Sequence, residues 1–539
     1  MNGLVLPIAV VSALGSPPGF EFPAAVAEVL PPLLPWDGAS RELTLPPDSE
    51  WVTPLEKTGY RTTPRYDETV RWLERLAAAA PELTLTAIGT SFLFIPILNV
   101  DGHERFSPFN RINQRGPEAM GWRTNRRNLN LNRDFAKLDT DEVRALVATL
   151  ERYAVDLYLD LHVTDGADYQ YDVTWGATAP RPWSPHIARW LDATLTPALT
   201  RDLEAHGHTP GPLVFAVDER DMSGGSQVWA ADPRYSNGYG DARHLPTVLV
   251  ENHSLKPYEQ RVLGTYVLLK SALRTLGRDY QALRRAVAAD RAARPAELVL
   301  EYDHERDAAH PTAPFKAVRS ETYASAVSGG VEVRWTGEPR TEQVARVADT
   351  VPKATATRPR AYYIPAAWRA IAERLQLHGI AVERLDAGRT VEVEMYRLRE
   401  AHIDSAPFEG HVRVVPGPVA RERRTLALAP GSYRASTDQP LGDLLMLLLE
   451  PESPDSFFQW GFLLEMLQRT EYVEGYVMEP LARRMLAADP ALEAEFLARL
   501  ASDPEFAADR TARLQWFYER TPYFDDEYRL YPIARSPTE

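Results

Sequence analysis

Residues 92–103 read FLFIPILNVDGH, and this run decides the fold. Phe92 to Leu98 is short and almost continuously apolar, the pattern of a β-strand buried on both faces. A polar stretch, Asn99-Val100-Asp101-Gly102-His103, follows at once. The pattern recurs at 155–162, VDLYLDLH, and at 246–253, PTVLVENH. Between and around these runs lie helical patterns. Thr63-Pro64 opens one with Val70, Leu73, Leu76 and Ala77 on one face. Asp139 with Glu142 reads as a capping box before DEVRALVATLERY (141–153). Pro257 starts a third that runs to about Leu276, with Gly277 placed to end it. Strands alternating with helices predict an α/β domain over 51–290, with a mixed, mostly parallel central sheet flanked by helices.

Outward from that domain the patterning changes. Residues 1–50 form a leader, Pro-rich from residue 16. Leu4 to Leu14 is apolar, no charge precedes Glu21, and Ala13-Leu14-Gly15 fits a small-residue cleavage site, which predicts export to a periplasmic or secreted location. Without cleavage the segment reads as a loose tail on a cytoplasmic protein. Beyond 290, the runs 331–335 (VEVRW), 390–396 (TVEVEMY) and 411–415 (HVRVV) alternate apolar with polar residues. They predict antiparallel strands with one wet face, in an accessory region over 291–430. Helical patterns return over 431–539, beginning with LGDLLMLLLE (441–450).

Composition narrows the function. The chain has 539 residues, 44% hydrophobic and 25% charged, a globular profile. Its net charge of −15 disfavours nucleic acid, whose phosphates are held mostly by Lys and Arg. No apolar run reaches the roughly 18 residues of a membrane span. With no cysteine, a thiolate site or disulfide is excluded, and any metal must be held by His, Asp or Glu. The composition sets no oligomeric state.

The polar residues that could carry chemistry sit at strand ends, where open α/β sheets bind ligands. These are the Asn99–Asp101 pair, His162 and Glu251. Between the first two strands, residues 101–134 hold seven arginines (105, 111, 115, 123, 126, 127 and 133) against four acids, a cationic island in an acidic chain. Guanidinium is a planar fork suited to gripping carboxylates, so the island points to an anionic substrate group. A set of solvated surface ion pairs would give the same composition.

Five motifs in order, FIPILNVDGHER (94–105), WRTNRR (122–127), LNLNRDF (129–135), DLH (160–162) and Glu251 at the close of an apolar strand, resemble the zinc metallocarboxypeptidases of the carboxypeptidase A type over roughly residues 92–275. The resemblance implies a carboxypeptidase-like α/β fold, a catalytic Zn2+ and hydrolysis of C-terminal peptide bonds. It implies His162 as a zinc ligand and Glu251 as the general base for zinc-bound water. It implies Arg126 as the group that polarises the scissile carbonyl. Asn132 and Arg133 would grip the terminal carboxylate, and Tyr235 or Tyr239 would cover the substrate. Peptide or protein C-termini are the implied partners.

The sequence departs from that family at one place. The family draws two further zinc ligands from an H-x-x-E motif upstream of the first strand. Here no histidine precedes His103, and none of the twelve begins an H-x-x-E. Ile88–Ser91 resembles the start of the block that holds this motif, so an internal deletion near 91/92 is expected, leaving a free sheet edge or a repaired neighbour. A catalytic zinc takes three protein ligands and one open position, and the family pattern supplies one. Asp160 and the pair Asp241-x-x-His244 are the alternative ligands in the chain. A second reading follows, a non-catalytic relative that binds peptide C-termini. A third makes the β-rich accessory region a carbohydrate-binding module.

Overall fold

The computed structural model describes residues 29–79, 92–177, 182–305 and 309–537. The expected signal segment and the 91/92 junction fall wholly or partly on residues outside these ranges. No helix among the described residues is long and apolar enough to cross a membrane.

The protein mixes α and β elements. Helix α1 (Tyr66–Ala79) forms where the apolar period predicts it, yet it carries no buried side chain. Helix α2 (Asp141–Arg152) is capped by the Thr140 side chain, which accepts from Val143 N at 3.3 Å, one residue later than the expected Asp139 cap. Asp139 is held elsewhere, by His411, and a cap goes to whichever side chain can reach the free N–H groups of the first turn. Strands β1 (Tyr158–Val163), β2 (Val173–Gly176), β3 (Pro210–Pro212) and β4 (Thr247–Asn252) make one sheet in the order β1-β4-β2-β3. The pairings β1–β4 and β2–β3 are parallel and β2–β4 is antiparallel. Helix α3 (Tyr258–Ala292) packs across this sheet. It does not stop at Gly277. It continues with a local distortion at Asp279 (φ −130°, ψ 17°), because Leu276 and Leu283 are buried in the same core.

The run at 92–98 departs most from expectation. It forms no strand, and Phe92, Leu93, Phe94 and Ile95 are 40–48% exposed. A strand buried on both faces needs a neighbour along its edge and a layer over each face. Among the described residues this run has neither, and Pro96 withdraws one donor. The sheet ends instead at β1, whose outer edge has no partner strand among the described residues and whose Leu161 is 39% exposed.

Beyond residue 296 the alternating runs form antiparallel strands. Strands β5 (Thr312–Ala324) and β6 (Val331–Ala348) make a long hairpin, and β7 (His402–Phe408) and β8 (His411–Val415) a short one. A six-stranded sheet is built from residues 361–364, 383–384, 389–397, 420–428, 433–436 and 534–535. The apolar run at 441–450 becomes a helix, Gly442–Leu449, buried on all sides. Its core is shared with the α/β part, since Leu444–Leu449 cluster with Phe135, Val143, Leu146 and Tyr239. The strand at Ala534–Arg535 is pinned through Glu450, which is 1% exposed. Glu450 accepts from Tyr362 Oη, from Tyr396 Oη at 2.7 Å and from Arg535 Nη1 at 3.0 Å.

Candidate functional site

The NVDG turn shapes the arginine island. The Asn99 side chain caps the short helix Val100–Glu104 by accepting from Gly102 N at 2.9 Å. Its amide nitrogen donates to Arg123 O at 3.2 Å. Asp101 Oδ2 accepts from Arg126 N at 3.1 Å. The chain passes so close at Gly102 that a Cβ there would sit 2.5 Å from Trp122 O. These contacts fold 122–127 back over the turn; Arg123 and Arg126 are both exposed, and Arg123 lies at the cleft while Arg126 does not.

A cleft of about 830 Å³ lies over the carboxyl ends of β1 and β4. The parallel register places His162 directly beside Glu251. Lining this cleft are Arg111, Arg123, Asn132, Arg133, Asp160, His162, Asp165, Glu219, Tyr235 and Glu251, with Phe215 and Trp229 as an aromatic wall. Of the residues expected from sequence, His162, Glu251, Asn132, Arg133 and Tyr235 therefore come together. Arg126 does not line the cleft. Neither does Tyr239, which is 1% exposed in the core, with its hydroxyl 2.9 Å from His378 Nδ1. The Asp241/His244 pair is also spent inside the fold. Asp241 accepts from Trp183 N and Ser184 N, and His244 Nδ1 lies 2.8 Å from Ser184 Oγ. Arg111, Arg123 and Trp229 were not singled out from sequence. The two arginines stood within the island, but spacing offered no way to choose among seven. Trp229 gave no signal.

Local structure fixes Asn132, Arg133 and Tyr235. The 3₁₀ turn Leu131–Arg133 is capped by Asn130 Oδ1, which accepts from Asn132 N at 3.1 Å. Asn132 Oδ1 accepts from Ser236 N at 2.9 Å, tying this turn to the residue after Tyr235. The Arg133 guanidinium lies 4.4 Å over the Tyr235 ring, and Trp229 meets Tyr235 edge-on at 4.4 Å. Arg123 has Asp165 at 3.3 Å. Arg111 and Arg133 have no carboxylate within ion-pair distance among the described residues, and desolvation pushes both below the usual guanidinium range. Partly desolvated cations with no carboxylate in contact are stabilised by an incoming anion.

The floor of the cleft is a coupled set of acids and one imidazole. His162 Nε2 lies 2.8 Å from Asp160 Oδ2. Burial opposes the imidazolium, but the charge and hydrogen bond of Asp160, with Glu251 adding to them, together hold the His162 pKa up at about 9. Burial pushes Asp160 up, but His162 with the Ser236 and Tyr158 hydroxyls together holds it below the usual carboxylate range. Burial lifts Glu251 to about 7, with His162 opposing, and Glu251 Oε2 has no hydrogen-bond partner. At neutral pH the pair at 160/162 is an ion pair and Glu251 is near its midpoint. Below that point Glu251 is neutral and the cleft more receptive to an anion.

Among the described residues, no three or more His, Asp or Glu side chains group as a metal ion requires. His162 is the single imidazole lining the cleft, and its Nε2 is taken by Asp160. This set does not fit a catalytic zinc with three protein ligands.

Part of the chain is similar to fungal carboxypeptidases. It is 35% identical over 112 residues to carboxypeptidase 2 of Trichophyton rubrum, covering 21% of each chain. It is 34% identical over 109 residues to carboxypeptidase 2 of Trichophyton tonsurans, 20% of each, and 32% identical over 101 residues to a probable carboxypeptidase 2 of Arthroderma benhamiae, 19% of each. The chain thus spans about a fifth of the length of these curated relatives. No family model matches, and no solved structure matches.

Proposed function

We propose that the cleft is a carboxypeptidase-like site that binds the free C-terminal carboxylate of a peptide, and that the described residues carry recognition without a completed metal centre. The observation that carries this reading is the pair of partly buried guanidiniums, Arg111 and Arg133, facing one cleft with no ion-pair partner among the described residues. Arg133 and Asn132 would take the carboxylate, and Tyr235, Trp229 and Phe215 would pack against the last side chain. A planar guanidinium grips a carboxylate through two parallel hydrogen bonds, which an amide cannot reproduce. The carboxypeptidase names of the partial relatives support a peptide as the ligand.

The second reading, a hydrolytic zinc carboxypeptidase, is favoured by those names and by Glu251, a buried carboxyl with an unpartnered oxygen and a pKa near neutrality, as a general base requires. Metal analysis separates the two. After equilibration with zinc and exhaustive dialysis, well under one zinc per chain is expected, and an N-blocked dipeptide is expected to stay intact. One tightly held zinc per chain with chelator-sensitive cleavage would establish the second reading instead.

A further inference from the structure

The turn that presents Asn132 and Arg133 is braced by the hairpin β7–β8, which lies about 280 residues further along the sequence. The hairpin reverses at Glu409 and Gly410, both in the left-handed region (φ 47° and 84°). That conformation is uncommon for a residue with a side chain, and here it aims one. Glu409 Oε2 accepts from Asn130 N at 2.9 Å. Asn130 caps the recognition turn through Asn132 N, so one hydrogen bond separates Glu409 from the residues facing the cleft. Just past the turn of the same hairpin His411 Nε2 lies 2.6 Å from Asp139 Oδ2; burial pushes Asp139 up, but His411, Lys137 and Arg374 together hold it down at about 2. Arg413 on β8 is 3.7 Å from Asp455, whose other oxygen accepts from Arg234 N at 2.6 Å, next to Tyr235.

From this juxtaposition we infer that the β7–β8 hairpin is a positioning element for carboxylate recognition and that Glu409 is its positioning residue, acting through Asn130 on Asn132 and Arg133. This rests on the reading of the cleft given above. Glu409 is half-buried at a turn and does not line the cleft, so its effect is on the placement of the guanidinium. A group held by a charge-assisted hydrogen bond loses its fixed geometry when the acceptor is removed.

The test is the ratio of affinities for a peptide with a free C-terminus and for its C-terminal amide, measured calorimetrically on the full chain. Glu409→Ala is expected to lower that ratio about fivefold, mainly by weakening the acid, with the amide affinity and the unfolding midpoint little changed. Glu409→Gln, whose carbonyl oxygen can still accept from Asn130, is expected to restore most of it. Glu409→Asp keeps the charge but shortens the reach, and is expected to lose discrimination as Ala does. A wild-type ratio in both Glu409→Ala and Glu409→Asp, or a fall in both affinities together, would overturn the inference while leaving peptide binding standing. If the wild-type chain itself does not discriminate, the reading of the cleft fails and this inference with it.

Discussion

Replacing Arg133 by alanine is expected to weaken binding of a free-acid peptide by roughly tenfold to a hundredfold, the cost of about 1.5–3 kcal/mol for a lost charge-assisted hydrogen bond. The amide of the same peptide should lose little. The same substitution at Arg126 should leave both affinities near wild type, because Arg126 is exposed outside the cleft and is tied to the NVDG turn through its backbone N–H. A comparable loss in the Arg126 variant, or none in the Arg133 variant, would show that the anion is held elsewhere. Arg133 is the sharper probe of the two guanidiniums, since its ring contact with Tyr235 and the neighbouring Asn132 anchor fix where it points.

The largest effect on stability is expected at Glu450. Its carboxylate is buried with the Arg535 guanidinium and two tyrosine hydroxyls. Glu450→Ala strips the nearer of two carboxylates, Glu450 at 3.0 Å and Glu394 at 4.0 Å, from a cation that is itself 1% exposed, and removing one member of a buried pair typically costs about 3–5 kcal/mol. Denaturant unfolding followed by far-UV circular dichroism should show that loss. Glu450→Gln, which keeps an acceptor for the tyrosines and the guanidinium, should lose less. An alanine variant as stable as wild type would mean that the last strand, Ala534–Arg535, is not held by this cluster.

The fold was legible where one periodicity dominated. The runs at 155–162 and 246–253 became β1 and β4, because a strand flanked by helical layers needs little beyond continuous apolar character. The alternating runs after residue 330 became antiparallel strands because a period of two puts apolar side chains on one face of a strand. The run at 92–98 carries an equally strong pattern and forms no strand, because a strand is completed by its neighbours and this stretch has none among the described residues. Helix α1, without a buried side chain, and the edge of β1, without a partner strand among the described residues, go with it. Boundaries set by competition were harder. Asp139 could cap α2 from its position, but His411 takes it, and Gly277 does not stop α3 because buried leucines continue beyond it.

Within the site, Glu251 and His162 were readable because parallel pairing places neighbouring strand ends side by side. Asn132 and Arg133 followed from their motif. The arginine at the cleft was not readable. Arg123 and Arg126 differ by three positions in one loop held at its backbone by Asn99 and Asp101, and only Arg123 reaches the cleft. The support from Glu409 was invisible too, since nothing local links residue 409 to residue 130.

The most direct measurement is a pair of titrations at neutral pH, with chelator present, of the dialysed full chain with a peptide acid and its C-terminal amide. The expected result is that the acid binds at least about tenfold more tightly, the discrimination of a single charge-assisted grip. Equal affinity for the two, or binding of neither, would contradict recognition of a peptide C-terminus by this cleft.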